Sequence, residues 1–261
     1  MAVQIGTTGD DRFEALAADD AVDGGTGFDS ISYAASSARV WVDLAAGEAV
    51  ALGAPPEVPV RVMPLGDSLT RGGVTSRDPV YGLGDGYRTE LWKTFQAEGA
   101  AVGFVGSATA GPGDLGDTDH EGHGGRTIDW LSARVEGWLD AAEPDAVLLM
   151  AGTNDVRANP TRPADPPEVM AREMAALIDR VALGEDAPAV FVATLPPIDP
   201  SGNGERAAAG AEEYDALLAA VVAERQARGL DVTLVDMNAR LDLGDVSDPP
   251  ADSGVHLTPG G

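Results

Sequence analysis

Apolar side chains along this chain fall into short runs that stop at glycine or proline, separated by longer stretches with apolar residues every third or fourth position. Val60–Leu65 is such a run, ending abruptly at Gly66-Asp67-Ser68. A run of this kind predicts a strand buried on both faces of a parallel sheet. Val102–Val105 (ending at Gly106), Ala146–Met150, Ala189–Leu195 (closed by Pro196-Pro197) and Val232–Val235 read in the same way. Between them, helical spacing predicts helices over Gly86–Glu98, with Leu91, Trp92 and Phe95 buried, and over Thr127–Ala142, through Ile128, Leu131, Val135, Trp138 and Leu139. Further helices are predicted over Pro166–Leu183 and over Arg206–Arg228, the last stopped by Gly229. Residues 71–86 form a Gly/Asp-rich loop of the kind that shapes a pocket mouth. Strands alternating with helices predict an α/β fold: a doubly wound parallel sheet in three layers, flavodoxin-like, covered on both faces.

The first fifty-odd residues follow another rule. Residues 6–32 divide into three nine-residue units, with Asp11, Asp20 and Asp29 at the sixth position and Phe13, Val22 and Ile31 at the eighth. The segment resembles the RTX nonapeptide repeat, the third unit matching in full while the middle one has lost its glycines. That resemblance implies stacked coils with structural Ca²⁺ held by aspartates such as Asp11 and Asp29, oxygen ligands suited to a hard cation. The competing reading is an acidic, glycine-rich surface segment that binds nothing tightly. Val40–Leu44 alternates and predicts a further strand, and the proline-stiffened Ala54–Pro59 a boundary. Two regions are therefore expected: 1–57, a repeat remnant and small β-rich segment, and 58–261, the α/β domain.

Composition narrows the partners. The 261 residues carry a formal net charge of −26, with a pI near 4.1, which argues against nucleic acid and anionic membranes and makes neutral polysaccharide or small esters the better-fitting substrates. With no cysteine there is neither disulfide nor thiolate chemistry. No apolar run approaches membrane-spanning length, and no cleavable signal peptide is visible after Met1.

Candidate chemistry starts at Ser68. Gly66 permits a sharp turn and close approach, which leaves Ser68 just past the carboxyl end of its strand, where open α/β sheets place their sites. A hydroxyl attacks an ester only with a base to take its proton and donors for the oxyanion. Three other stretches bear on this: Glu121–Asp129, glycine-rich and leading into a helix; Met150–Asp155, ending a strand; and Ser253–His256. In this order the four blocks resemble the SGNH/GDSL hydrolase superfamily. The wording MPLGDSLT, GYR, FVGS, DHEGHGGRTID and LLMAGTND looks most like its acetyl-xylan-esterase-like branch, carbohydrate esterase family 3. The resemblance covers roughly 58–261.

It implies a serine esterase that removes small acyl groups, acetyl above all, from polysaccharide such as xylan, in an extracellular, secreted setting and without a catalytic cofactor. Ser68 would be the nucleophile and His256 its base, with the Ser68 and Gly125 N–H groups and the Asn154 amide as oxyanion donors. Gly122 and Gly124 are alternative registers for the loop donor. The family pattern has Asp three residues before the histidine. Here that position is Ser253, so either Asp252, one residue further back, orients His256 or the pair works as a dyad. The chain also ends five residues after His256, where the family continues into a last helix. The cluster Asp119, His120, Glu121, His123 also admits a metal reading, but its glycines break the helical HExxH spacing, and hydrogen bonds that shape the loop fit better. Two other functions remain open: a lipase or thioesterase of the same superfamily, and a non-catalytic, calcium-stabilised carbohydrate-binding or adhesion module.

Overall fold

The computed structural model describes residues 3–5, 7–9, 12–14, 21–23, 30–32, 40–43, 48–51, 59–72, 86–111, 115–159, 161–184, 186–246 and 256. The chain divides into two compact units, residues 1–59 with 95–101, and residues 60–94 with 102–261. Asp11, Asp29, Asp252 and Ser253 lie outside the described residues.

In the first unit, β1 (Val3–Ile5) pairs in parallel with β3 (Ala21–Asp23), and β2 (Arg12–Glu14) with β4 (Ser30–Ser32). Both registers are offset by eighteen residues, Val3 facing Ala21 and Phe13 facing Ile31, which is twice the nine-residue period of the sequence. β5 (Val40–Asp43) and β6 (Glu48–Ala51) form an antiparallel pair.

The second unit is built on β7 (Val60–Gly66). With β8 (Val102–Phe104), β9 (Ala108–Thr109), β10 (Asp119–Gly122), β11 (Ala146–Met150), β12 (Ala189–Ala193) and β13 (Val232–Val235) it forms a sheet of order β13-β12-β11-β7-β10-β9, β8 pairing with the first half of β7. Every pairing is parallel except β9 with β10, so the sheet is mixed rather than purely parallel. The chain runs from β7 to one side through β8 and β10, then crosses to β11 on the other. The carboxyl ends of β7 and β11 therefore lie side by side where the winding reverses, the place at which α/β sheets bind ligands.

Alternation along the central strands sends Met63 and Leu65, Val147 and Leu149, and Val190 and Val192 into one core. There they meet α3 (Ile128–Ser132), α4 (Val135–Ala142), α5 (Pro167–Ala182) and α7 (Glu205–Ala227) through Leu131, Val135, Met174, Ile178 and Leu218. Fully burying such side chains contributes about 1.5–3 kcal/mol each. The opposite face is less covered, Phe191 being 37% exposed. Two short helices complete the described set, α1 (Ser68–Arg71) and α6 (Pro200–Asn203), along with α2 (Arg88–Ala97).

Three sequence expectations need correction. The helix expected over Thr127–Ala142 is two helices, broken at Ala133-Arg134, where the Arg134 side chain turns back to donate to the Trp130 carbonyl. In α2 it is Arg88 and Thr89 that are buried, while Leu91, Trp92 and Phe95 are only partly so. Arg88 is held by the carbonyls of Thr70, Arg71, Ala110 and Thr118, so a charged residue takes the interior position. Finally, β10 occupies a stretch that reads as glycine-rich loop. Asp-His-Glu-Gly has no apolar pattern, and only its pairing with β9 on one side and β7 on the other makes it a strand.

Candidate active site

Ser68 opens α1, directly beyond β7. Asp67 caps this turn, its Oδ1 accepting from the Leu69 N–H at 2.9 Å. Gly66 is required by proximity: a Cβ there would lie 2.1 Å from the Met150 carbonyl oxygen and 2.4 Å from Thr70 Oγ1. Any side chain would push the nucleophile turn away from the end of β11. The Gly66 carbonyl also accepts from the His123 N–H at 2.8 Å, which ties the turn to the loop after β10.

His256 Nε2 lies 2.9 Å from Ser68 Oγ, across 188 residues of sequence. That is hydrogen-bond reach for a base and its nucleophile.

Three glycines are candidates for the loop donor. Gly122 donates its N–H to His120 Nδ1 at 2.9 Å and sits inside β10, so it is committed elsewhere. Residues 123–126 form a turn closed by Arg126 N–H to the His123 carbonyl at 3.2 Å. Gly125 has φ +76°, the third-position conformation of a type II turn that favours glycine. Gly124 lies against the nucleophile, a Cβ built on it falling 3.8 Å from Ser68 Cβ. Asn154, half-buried beyond β11, donates from Nδ2 to the Arg126 carbonyl at 3.0 Å and to Asp67 Oδ2 at 3.4 Å. One amide thus links all three chain segments around Ser68. The arrangement brings a hydroxyl and an imidazole together, with a neutral amide on the carboxylate of the residue before Ser68, a set of groups suited to acyl transfer.

Asn154→Ala is expected to lower kcat by about 10²–10³ with little change in KM, because an oxyanion contact strengthens only in the transition state. Steady-state kinetics on a chromogenic ester checks this; a mainly KM effect would make Asn154 a ground-state binding residue.

The histidine-rich stretch is committed to shaping the loop. Glu121 is fully buried and accepts from Ser107 N–H and Oγ and from His123 Nε2, each at 2.7 Å. Burial alone would raise its pKa, but these bonds outweigh it and hold the carboxyl low. His123 stacks on Trp138, centroids 4.7 Å apart. No cluster of three metal-ligating side chains exists among the described residues.

Sequence reading missed two carboxylates, both in the motifs it quoted. Asp67 is wholly buried and is pushed up to about 6, chiefly by burial, against the lowering effects of the Leu69 N–H and the neighbouring His256. Asp155, also wholly buried, accepts from the Ile128 N–H at the start of α3 (3.0 Å) and is pushed up to about 7 by burial. Asp215, behind β12, is likewise raised by burial to about 7.

These raised values imply a pH dependence of stability. Unfolded, the three carboxyls titrate near 3.8. As pH falls from 8 to 6.5 the folded protein gains protons that the unfolded chain does not, so stability rises; it is lost again as pH rises through the folded values near 6 and 7. His120, lowered to about 4 mainly by burial, opposes the trend as the unfolded imidazole protonates around 6.5, but one imidazole half titrated at that pH is outweighed by the three carboxyls. Calorimetry should give a higher Tm at pH 6.5 than at pH 8; the reverse order would show that these groups ionise without penalty.

A groove of about 340 Å³ opens beside this centre, lined by Arg71, Ala108–Ala110, His120, Gly122–Gly124, Arg126 and Trp130. A second cavity of about 240 Å³ is bounded by Arg61, Ser107, Glu121 and Trp138; neither space has Ser68, Gly125, Asn154 or His256 in its lining, and the groove reaches the nucleophile turn through Arg71 and Gly124. No helix among the described residues is long and apolar enough to cross a membrane.

Comparison with known proteins bears on the same region. A family model described as GDSL-like lipase/acylhydrolase matches residues 65–261. Among solved structures, a family 3 carbohydrate esterase from Clostridium thermocellum superposes with TM-score 0.60 at 28% identity, covering 77% of this chain and 88% of its own. A carbohydrate esterase family 3 structure from Talaromyces cellulolyticus gives 0.60 at 24% identity, with 76% and 88% covered. An acetyl-xylooligosaccharide esterase from Geobacillus gives 0.53 at 20% identity, with 77% and 88% covered. No curated protein matches the chain.

Proposed function

The chain belongs to the GDSL-like lipase/acylhydrolase family and is a carboxylic ester hydrolase; from that premise we propose that it is a serine esterase removing acetyl or similarly small acyl groups from polysaccharide, xylan being the leading candidate. The observation that carries the reading is the 2.9 Å contact between Ser68 Oγ and His256 Nε2 at the carboxyl edge of the sheet.

Ser68 attacks the ester carbonyl while His256 takes its proton. Ser68 N–H, Gly125 N–H and Asn154 Nδ2, the last giving up its long 3.4 Å bond to Asp67 Oδ2, hold the oxyanion. His256 then returns the proton to the departing sugar alcohol, and the same base activates the water that clears the acyl-enzyme. The likeness to the Clostridium thermocellum esterase supports a carbohydrate substrate. So does the groove beside Ser68, whose polar and basic lining suits a sugar better than a long acyl chain. Deacetylation of acetylated xylan, with p-nitrophenyl acetate against octanoate as the chain-length control, tests the reading. Preference for octanoate would make it a lipase or thioesterase instead, and glycan binding without any turnover would make it a binding module.

For the N-terminal unit we propose structural Ca²⁺, with Asp11 and Asp29 as ligands; the eighteen-residue stagger of its paired strands supports a coil built from two repeats per turn. Calorimetry at millimolar Ca²⁺ is expected to raise the transition of residues 1–57 and leave the hydrolase transition in place. An unmoved first transition would favour a merely acidic segment.

A further inference from the structure

We propose that the groove beside Ser68 is an anion subsite, and that the preferred substrate is an acetylated saccharide whose alcohol half carries a carboxylate, as a uronic acid does. The proposal rests on the acetylesterase reading above. An acetyl group has no room for a charge, so the charge must sit on the alcohol half.

Ser68 and Arg71 are three residues apart on one helical turn and so share a face. Gly124 packs against both: a Cβ there would stand 3.4 Å from Arg71 Nη1 and 3.8 Å from Ser68 Cβ. With no side chain at that position, only Gly124 stands between Ser68 and the groove onto which the Arg71 guanidinium opens. From the other side comes Arg126, its guanidinium 4.6 Å from the centre of the Trp130 ring. Trp130 is itself held under Arg134, which lies 3.9 Å over the ring and donates to the Trp130 carbonyl at 2.9 Å. Arg126 is thus placed by an aromatic platform rather than by an acid.

In a chain with 43 acidic and 17 basic residues, arginines would ordinarily pair with carboxylates, as Arg162 does with Asp165 and Arg225 with Asp179. Among the described residues neither Arg71 nor Arg126 forms an ion pair, and those that line the groove include two arginines and no Asp or Glu. The net charge of −26 disfavours anions only at a distance, because at physiological salt it is screened beyond about 8 Å. Inside the groove the two guanidiniums decide, and their planar forks match a carboxylate. A volume of about 340 Å³ is at the small end of ligand pockets, roughly 300–1,000 Å³, room for a single sugar unit whether free or within a polysaccharide.

The test is a matched pair, acetylated methyl glucuronide and acetylated methyl glucoside, which differ only in carboxylate against hydroxymethyl, with p-nitrophenyl acetate as the reference ester. At low salt kcat/KM should favour the uronide by roughly tenfold, as expected of two partly exposed charge-assisted contacts, and the preference should shrink toward unity in 1 M salt. Arg126→Gln should collapse the ratio, and Arg126→Lys should keep part of it. Equal or reversed preference in the unmodified protein, a ratio indifferent to salt, or hydrolysis of p-nitrophenyl acetate with neither glycoside accepted would overturn the proposal while leaving the esterase reading standing. Failure on all three esters would remove the esterase reading itself.

Discussion

Ser68→Ala is expected to lower kcat by roughly 10³–10⁶ while leaving the folding transition in place, since what remains is binding and the oxyanion donors alone. The removed Oγ meets His256 Nε2 at 2.9 Å in a half-exposed position, so its loss opens no core cavity. Nucleophile and base act as one unit, and effects on such units do not add. The double variant Ser68→Ala/His256→Ala should therefore be no slower than the worse of the two single ones. Kinetics within a few-fold of the unmodified protein would dismiss Ser68 as nucleophile. A double variant much slower than either single one would mean that His256 has a separate task.

Asp252→Asn carries the second large effect. The resemblance places an aspartate three residues before the histidine, where this chain has Ser253, with Asp252 one residue earlier. We propose that Asp252 orients the imidazole, Gly254 giving the loop freedom to absorb the extra residue. An amide at Asp252 would favour the wrong tautomer and leave the imidazolium unsupported, at a cost of up to roughly 10⁴ in kcat. Ser253→Ala should be mild. The structure adds a competitor that the motif does not suggest: Asp67, buried one residue before the nucleophile, interacts electrostatically with His256. A silent Asp252→Asn, an activating Ser253→Asp and a slow Asp67→Asn would together identify a Ser–His pair supported from the nucleophile turn.

Much of the fold was legible because burial leaves a local imprint. Val60–Leu65, Ala146–Met150 and Val232–Val235 are strands as expected, since a strand covered on both faces can hold little but apolar side chains. The Pro166–Leu183 and Arg206–Arg228 helices hold to within a residue or so, their ends marked by proline and glycine. Ser68 was legible as a strand-end serine because Gly66 must admit the Met150 carbonyl, a demand that only glycine meets.

Tertiary structure alone decided the rest. β10 has no pattern of its own and is a strand only through pairing with β7 and β9. Arg88 reads as a surface residue, yet four carbonyls from separate segments satisfy it in the interior. Such a site does not exist until those segments have assembled. Asp67 and Asp155 are ordinary loop acids in sequence, and only their burial separates them from other aspartates by raising their pKa values. The meeting of Ser68 with His256, and of Arg71 with Gly124, joins residues far apart in the chain. Sequence periodicity reports which face of its own element a side chain occupies; it carries no information about which distant element the sheet brings opposite.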